Sequence, residues 1–252
     1  MNEILAALAE QHAELAGVID PLTDAQWATA TPRCPGWTIA DVVLHLSQTD
    51  EMALASVQAR FHESLEVLAG GLEGTGSVDD GAAAMVESER GAAAAEVKRR
   101  WSQGASSLRV AFAEVEPGAR LQWVVGDLAA RSLATTRLAE CWIHTGDVLD
   151  ALGQTQVATD RLRHIARLAW RTLPYAFARA GRELSGPVEF DLTGPGGVRW
   201  RLALGGPATT VVSGPALDLC HVAGQRADAA DTDLVAVGPD SAEVLALVRT
   251  FA

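Results

Sequence analysis

The hydrophobic pattern changes character near residue 153, and this change constrains the fold more than any other feature of the sequence. Before it, apolar residues recur at helical spacing and predict helices at about 3–19, 38–68, 82–115 and 127–152. After it, apolar residues alternate on both sides of a Gly-Pro-Gly-Gly turn and predict a β-hairpin within 187–206. We therefore predict two domains, a helical domain at 1–153 and an α+β domain at 154–252.

The predicted fold class is α+β and mostly α, with an up-and-down four-helix bundle followed by a small α+β domain. In the second domain the pattern further predicts a helix at 158–180 interrupted at Pro174, a strand at 208–214, a helix opened by Pro215 and a last helix from Ser241 to Phe251. The glycine-rich segment 69–81 is predicted to separate two helices, either as a lid or as a plain connector.

Composition excludes several classes of partner. The chain has 252 residues, 48% of them apolar, which is enough to bury a core. A formal net charge of -12 argues against nucleic acids and anionic membranes as partners. There is no apolar run long enough for a membrane span, and no basic segment or cleavage site typical of a signal peptide. Three widely spaced cysteines suggest reduced thiols, so we predict a cytoplasmic protein.

Three residues are candidates for a metal site. Glu140 and His144 are four residues apart and lie on one face of a predicted helix. His45 lies among apolar residues of another predicted helix, whose start is marked by a capping box at Thr38 and Asp41. If the two helices pack together, one carboxylate and two imidazoles form a three-ligand site with an open position, as in catalytic zinc centres. The alternatives are histidines that pack in the core or form ion pairs at the surface.

Two motifs around these residues resemble those of a known superfamily. The segments PGWTIADVVLHL (35–46) and AECWIHTGDVL (139–149) resemble the DinB-like metal-binding superfamily and, within it, the mycothiol-dependent maleylpyruvate isomerase branch. The residues that match the motifs of that branch are Gly36, Trp37, Thr38, His45, Leu46, Glu140, His144 and Asp147. The resemblance covers about residues 1–152, and the second domain matches the appended α+β domain more loosely.

The resemblance implies a divalent metal, usually zinc, held by His45, Glu140 and His144, with the remaining positions for water and for the sulfur of mycothiol. A metal-bound thiol loses its proton near neutral pH and becomes a strong nucleophile. In the isomerase branch the thiolate is expected to add to a cis double bond, allow rotation and leave. The single lysine among 20 basic residues suggests a high-GC genome, which suits mycothiol.

The predicted function is a zinc-dependent, mycothiol-linked isomerase or S-transferase that acts on a small electrophilic substrate. The resemblance also implies a catalytic arginine in the second domain, and Arg226 is the candidate to hold a substrate carboxylate; the alternative is an arginine at the surface or at a helix end. Two alternatives stay open. One is a metal-dependent enzyme that isomerises, cyclises or hydrolyses its substrate without a thiol, and the other is a non-catalytic metal-binding module with a sensory role.

Other polar residues near the motifs have two interpretations each. Asp147 is either an acceptor that fixes a histidine ring or an exposed helix residue. Arg137 either pairs with Glu140 or the substrate or is solvated, and we predict the solvated form. His12 either faces the site or lies on the surface, and we predict the surface. Cys141 is predicted to pack in the core, whereas Cys34 is left out of the site because no base is evident near it.

Overall fold

The protein is described by a computed structural model that covers residues 1–69 and 77–250. The chain divides into two compact units, Met1–Gln156 and Val157–Ala252. Of the glycine-rich segment predicted to separate two helices, residues 70–76 lie outside the described residues, so its role as lid or connector stays a prediction.

Helices dominate the first unit. Its elements in chain order are α1 (Asn2–Ile19), α2 (Asp24–Trp27), α3 (Ile39–Val57), α4 (Phe61–Ala69), α5 (Val78–Glu89), α6 (Ala94–Glu114), the short antiparallel strands β1 (Arg120–Leu121) and β2 (Leu128–Ala129), and α7 (Ala130–Ala151).

The four long helices form the predicted bundle. Helix α1 packs against α6 and α7, and α3 also packs against α6 and α7, so each long helix has two long neighbours. The core between them is apolar and includes Leu15, Val42, Leu46, Trp101 and Val148. In this packing, one face of α3 lies against one face of α7 in the interior of the bundle.

Two of the predicted helices are each split into two. The prediction of one helix over 38–68 is wrong because α3 ends at Val57 and α4 begins at Phe61. Between them Ala59 has a φ of 58°, a left-handed conformation that no helix continues. The predicted helix over 82–115 is divided into α5 and α6 at Gly91, where φ is 90°. Helix α7 also starts three residues later than predicted, because β1 and β2 occupy the preceding segment.

The second unit combines three α-helices with a four-stranded sheet within its described residues. Its elements are α8 (Leu162–Arg179), β3 (Val188–Thr193), β4 (Arg199–Leu202), β5 (Thr210–Pro215), α9 (Ala216–Ala223), β6 (Val235–Val237) and α10 (Ser241–Leu247). The strand order is β4-β3-β5-β6, with β3 antiparallel to β4 and parallel to β5, and β5 antiparallel to β6. The predicted hairpin is therefore confirmed as β3 and β4.

Three details of this unit differ from the prediction. Pro174 does not interrupt α8, since buried side chains on both sides of it, Leu173 and Phe177, hold one apolar face along the whole helix. Strand β6 was not predicted because it is only three residues long. Helix α10 ends at Leu247, short of the predicted end at Phe251. In neither unit do the described residues contain a helix long and apolar enough to cross a membrane.

Candidate metal centre

The start of α3 is fixed by side chains, and this places His45 in the second turn of the helix. The predicted capping box is confirmed: the backbone N–H of Asp41 donates to Thr38 Oγ1, and the Thr38 N–H donates to Asp41 Oδ2 over 2.8 Å. Arg90, beyond the end of α5, donates to the same carboxylate oxygen over 3.0 Å. The first turn of α3 is thus held from both sides, which limits where His45 can lie.

The three predicted ligands lie together between α3 and α7. The Nε2 atoms of His45 and His144 are each 3.6 Å from Oε2 of Glu140, and the two ring centroids are 5.0 Å apart. A separation of 3.6 Å is too long for a hydrogen bond. With metal–ligand bonds of about 2.0–2.2 Å, tetrahedral coordination separates two ligand atoms by roughly 3.4 Å. The spacing and the donor set therefore fit a divalent cation.

Burial and neighbouring charges set the protonation of this cluster. Burial acts to raise the pKa of Glu140, but the adjacent imidazoles of His144 and His45 outweigh it and hold the pKa well below its usual value. Burial lowers the pKa of His45, so this imidazole is neutral at pH 7. An ionised carboxylate and a neutral imidazole are the forms that bind metals.

Asp147 supports His144 from behind. Its Oδ2 lies 2.9 Å from His144 Nδ1, and its side chain is buried. Burial acts to lower the pKa of His144, but contacts with Asp147, Cys34 and Glu140 outweigh it and raise the pKa. Because the carboxylate accepts the Nδ1–H, the Nε2 atom is oriented toward Glu140 as a ligand requires. Of the two interpretations of Asp147, the structure therefore favours the acceptor over the exposed residue.

His45 is held differently. Its Nδ1 atom is buried and has no hydrogen-bond partner among the described residues. Trp37 lies against the imidazole instead, with ring centroids 5.3 Å apart and ring planes tilted by 47°. Packing, rather than a hydrogen bond at Nδ1, thus fixes the ring of His45.

A second polar layer lies one turn away from the ligands on the same two helices. Arg137 of α7 donates from Nε to Asp50 Oδ1 over 2.9 Å and from Nη2 to Thr49 Oγ1 over 2.8 Å. The side chains of Arg137 and Asp50 are each only 2% exposed. The prediction of a solvated Arg137 is therefore wrong, because Asp50 on the facing helix provides a buried partner. We call Thr49, Asp50 and Arg137 the ion-pair layer.

His12 of α1 lies beside this layer and not on the surface, so that prediction is also wrong. Its Nδ1 atom is 2.5 Å from Nη1 of Arg109, and its Nε2 atom is 3.9 Å from Oδ2 of Asp50. Burial lowers the pKa of His12 to about 4, so the ring is neutral and accepts the arginine N–H. His12 therefore belongs to the polar interior of the bundle rather than to the ligand set.

Cys34, which the sequence analysis left out of the site, lies beside the three predicted ligands. Its Sγ lies 3.3 Å from Oδ2 of Asp147, the oxygen that also contacts His144. The only signal in the sequence was its position two residues before the Gly36-Trp37 motif. Cys141, by contrast, is buried in the core as predicted, and burial raises its pKa above the usual range of a thiol.

Arg226, the predicted catalytic arginine, lies in the second unit just beyond α9. It is partly buried, and its Nη1 donates to the carbonyl oxygen of Gly224 over 2.9 Å. This bond holds the guanidinium against the C-cap residue of α9. Its role toward a substrate stays a prediction.

Known proteins resemble this chain in sequence and in fold. The family model for the mycothiol maleylpyruvate isomerase N-terminal domain matches residues 8–149, which include all three predicted ligands. Uncharacterized proteins of Mycobacterium tuberculosis strains H37Rv and CDC 1551 are each 36% identical to this chain over 255 residues. Each alignment covers 98% of this chain and 95% of the relative.

Solved structures share the fold. The crystal structure of the mycothiol-dependent maleylpyruvate isomerase superposes with a TM-score of 0.61 at 18% identity, covering 93% of this chain and 92% of that chain. A histidine-to-alanine mutant of that isomerase gives the same TM-score at 17% identity, with 92% of each chain covered. The chain therefore belongs to the mycothiol maleylpyruvate isomerase N-terminal domain family, the DinB-like branch that its motifs resemble.

Proposed function

We propose that this protein is a metal-dependent enzyme that uses mycothiol to isomerise a small electrophilic substrate or to transfer a thiol to it. The observation that carries the proposal is the convergence of His45, Glu140 and His144 on one point, with Asp147 behind His144. The family match supports the enzyme class, and the solved neighbours are named for mycothiol.

The three residues are suited to hold the cation. A divalent cation, for which we propose zinc, would act at this site as a Lewis acid that favours the thiolate form of a coordinating thiol. Glu140 supplies the single negative charge of the donor set. Asp147 keeps the Nδ1–H of His144 occupied so that Nε2 is free to coordinate. Trp37 covers the ring of His45 and limits access of water from that side.

The substrate is proposed in terms of its chemistry. A nucleophilic thiolate reacts with an electrophilic carbon, such as that of a conjugated double bond, and its reversible addition permits rotation about the former double bond. We propose that Arg226 binds a carboxylate of the substrate, because a guanidinium pairs with a carboxylate through two hydrogen bonds. We also propose that the protein acts in the cytoplasm, where the thiol cofactor is reduced.

The first test is the metal content of purified protein, measured by elemental analysis. The wild type is compared with His45→Ala and Glu140→Ala, and His62→Ala serves as the matched control because His62 is exposed and far from the three ligands in sequence. We expect about one metal per chain in the wild type and the control, and loss of metal in both ligand variants. Thermal unfolding of each apo-protein shows whether the variants still fold.

The second test adds mycothiol to the metal-loaded protein and follows thermal unfolding. A ligand that binds only the folded state raises the unfolding temperature, so we expect a rise that depends on the metal. Metal binding without any response to mycothiol would favour an enzyme that does not use a thiol, or a sensory module. Wild-type protein that binds no metal after reconstitution would overturn the proposed function.

A further inference from the structure

Two donors share one carboxylate oxygen behind His144. Oδ2 of Asp147 lies 2.9 Å from Nδ1 of His144 and 3.3 Å from Sγ of Cys34. A carboxylate oxygen accepts more than one hydrogen bond, and a thiol S–H is a weak donor. Cys34 and His144 are therefore linked through Asp147: the thiol contacts the same carboxylate that holds His144, a predicted metal ligand.

The loop that carries Cys34 is closed by its own hydrogen bonds. In this segment, residues 31–37, the Cys34 N–H donates to the Thr31 carbonyl over 3.2 Å, and the Trp37 N–H donates to the Cys34 carbonyl over 3.0 Å. The Thr31 N–H and hydroxyl both donate to the Trp37 carbonyl. Gly36 adopts a φ of 84°, which favours glycine. The thiol is thus presented by a loop of defined shape.

A third element fixes the same loop. Arg90 donates from Nη1 to the Gly36 carbonyl over 3.1 Å as well as to Asp41 at the start of α3. Cys34 and Trp37 also pack against the apolar core of the bundle. One side of the 31–37 loop therefore contacts the ring of His45 through Trp37, and another contacts Asp147 through Cys34.

The geometry separates Cys34 from the coordination site itself. Within the His144 ring, Nε2 faces Glu140, whereas Nδ1 faces Asp147 and so the thiol. The two nitrogens of an imidazole point in divergent directions, so a cation shared by Nε2 and Glu140 lies on the other side of the ring from Cys34. Cys34, His144 and Asp147 are also close enough to form a metal cluster of their own. The short 2.9 Å contact between His144 and Asp147, however, is that of a charge-assisted hydrogen bond.

We propose that Cys34 is a positioning residue of the metal centre. Its S–H donates to Asp147 and fixes the carboxylate that sets the tautomer and the orientation of His144. This inference rests on the proposed function, because it assigns Cys34 a role in metal affinity. On this proposal the 31–37 loop carries a positioning side chain for each histidine, Trp37 for His45 and Cys34 for His144.

The test compares Cys34→Ala, which removes the donor, with Cys34→Ser, which keeps an O–H donor. Cys220→Ala is the matched control, since it removes a buried thiol that contacts the Leu162 carbonyl within the second unit.

The Kd for Co²⁺ is measured by competition with a chelator. Loss of a hydrogen-bonded support of a ligand lowers metal affinity about 10- to 100-fold. Because the thiol acts through Asp147 and is a weak donor, we expect a smaller loss, roughly 3- to 10-fold, for Cys34→Ala. Cys34→Ser and the control should stay near the wild-type value.

Two further readouts separate this proposal from the proposed function. The absorption spectrum of the Co²⁺ protein, recorded without added thiol, should lack a sulfur-to-cobalt charge-transfer band, and such a band, or two metals per chain, would show Cys34 to be a ligand instead. The ¹⁵N NMR signals of His144 in the apo-protein report the hydrogen bond of its Nδ1–H without any metal. We expect them to change in Cys34→Ala and to be restored in Cys34→Ser.

The outcomes are distinct. Unchanged ¹⁵N signals of His144 together with an unchanged Co²⁺ affinity in Cys34→Ala would overturn the positioning role while leaving the metal centre intact. A wild-type protein that binds no metal would overturn the proposed function, and the NMR comparison would still decide whether Cys34 orients His144. Equal losses in Cys34→Ala and Cys34→Ser would also count against the proposal, because the hydroxyl should replace the thiol as donor.

Discussion

The ligand cluster and the ion-pair layer are two buried polar layers, one helical turn apart, and they differ in how each compensates its carboxylate. In the ion-pair layer Asp50 has Arg137 at 2.9 Å, within hydrogen-bond distance. In the ligand cluster Glu140 has two imidazole nitrogens at 3.6 Å, beyond hydrogen-bond distance. Both layers join α3 to α7, but only the ion-pair layer is completed by the protein's own side chains. The difference supports the proposal that one layer stabilises the fold whereas the other binds a cation.

The largest effect should follow from removing the cation of the ion-pair layer. Arg137→Met leaves Asp50 buried without its partner, and breaking a buried pair on one side typically costs about 3–5 kcal/mol. We expect a fall of this size in the free energy of unfolding, measured with urea on the apo-protein. Arg99→Met is the control, since Arg99 and Glu96 form an exposed pair whose loss should change the free energy of unfolding little.

The double variant Asp50→Leu/Arg137→Met sharpens this result. Replacement of a whole buried ion pair by apolar residues is often neutral or stabilising, so the double variant should recover much of the loss. If Arg137→Met were no less stable than the wild type, the ion-pair layer would have no structural role, and the contrast with the ligand cluster would fail.

The second effect is a pH dependence centred on His12. Burial holds the pKa of His12 at about 4, and Arg109 and Arg137 add to this effect while Asp50 opposes it. The unfolded chain takes up this proton near pH 6.5 and the folded chain only near pH 4, so the free energy of unfolding decreases as the pH falls through this window. The contribution is about 3 kcal/mol at most.

Urea unfolding of the wild type and of His12→Gln between pH 7 and pH 4 measures this contribution. The glutamine keeps an acceptor for Arg109 but cannot take up a proton, so the wild type should lose stability relative to the variant as the pH falls. Parallel curves for the two proteins would show that His12 binds protons equally in the folded and unfolded states.

The third and smallest effect distinguishes the two layers directly. At a metal concentration of 100 times Kd, binding stabilises the folded state by about 2.7 kcal/mol. We expect Glu140→Gln to abolish this gain and Arg137→Met to keep it, even though only the latter lowers the stability of the apo-protein. Glu114→Gln, at an exposed position near the end of α6, is the control. Chemical unfolding with and without metal makes the measurement, and an equal gain in Glu140→Gln would exclude Glu140 as a ligand.

The parts of the molecule that the sequence predicted well are those set by local spacing. The capping box at Thr38 and Asp41 and the placement of Glu140 and His144 on one helical face follow from residues three or four apart. The hairpin of β3 and β4 follows from alternation around one turn. The apolar neighbours of His45 also indicated that this histidine faces the interior.

The parts that it did not predict depend on contacts between distant segments. Arg137 looked solvated because its partner Asp50 is on another helix, and the polarity of a single helix says nothing of such a pair. Cys34 had no evident partner in sequence because Asp147 lies more than a hundred residues further along the chain. The end of α3 before Ala59 was not predicted either, because nothing in the sequence indicates that this alanine adopts a left-handed conformation.

The division of the ligands between α3 and α7 also has a consequence for the order of assembly. Glu140 and His144 are local partners that meet whenever α7 forms, but His45 joins them only when helices from opposite ends of the unit have packed together. Contacts between segments so distant in sequence form late, because closing a long loop costs entropy before the contact returns any stability. A chain still emerging from the ribosome has His45 long before it has the other two ligands. The site is therefore complete only in a finished bundle, and metal capture would mark the end of folding rather than its beginning.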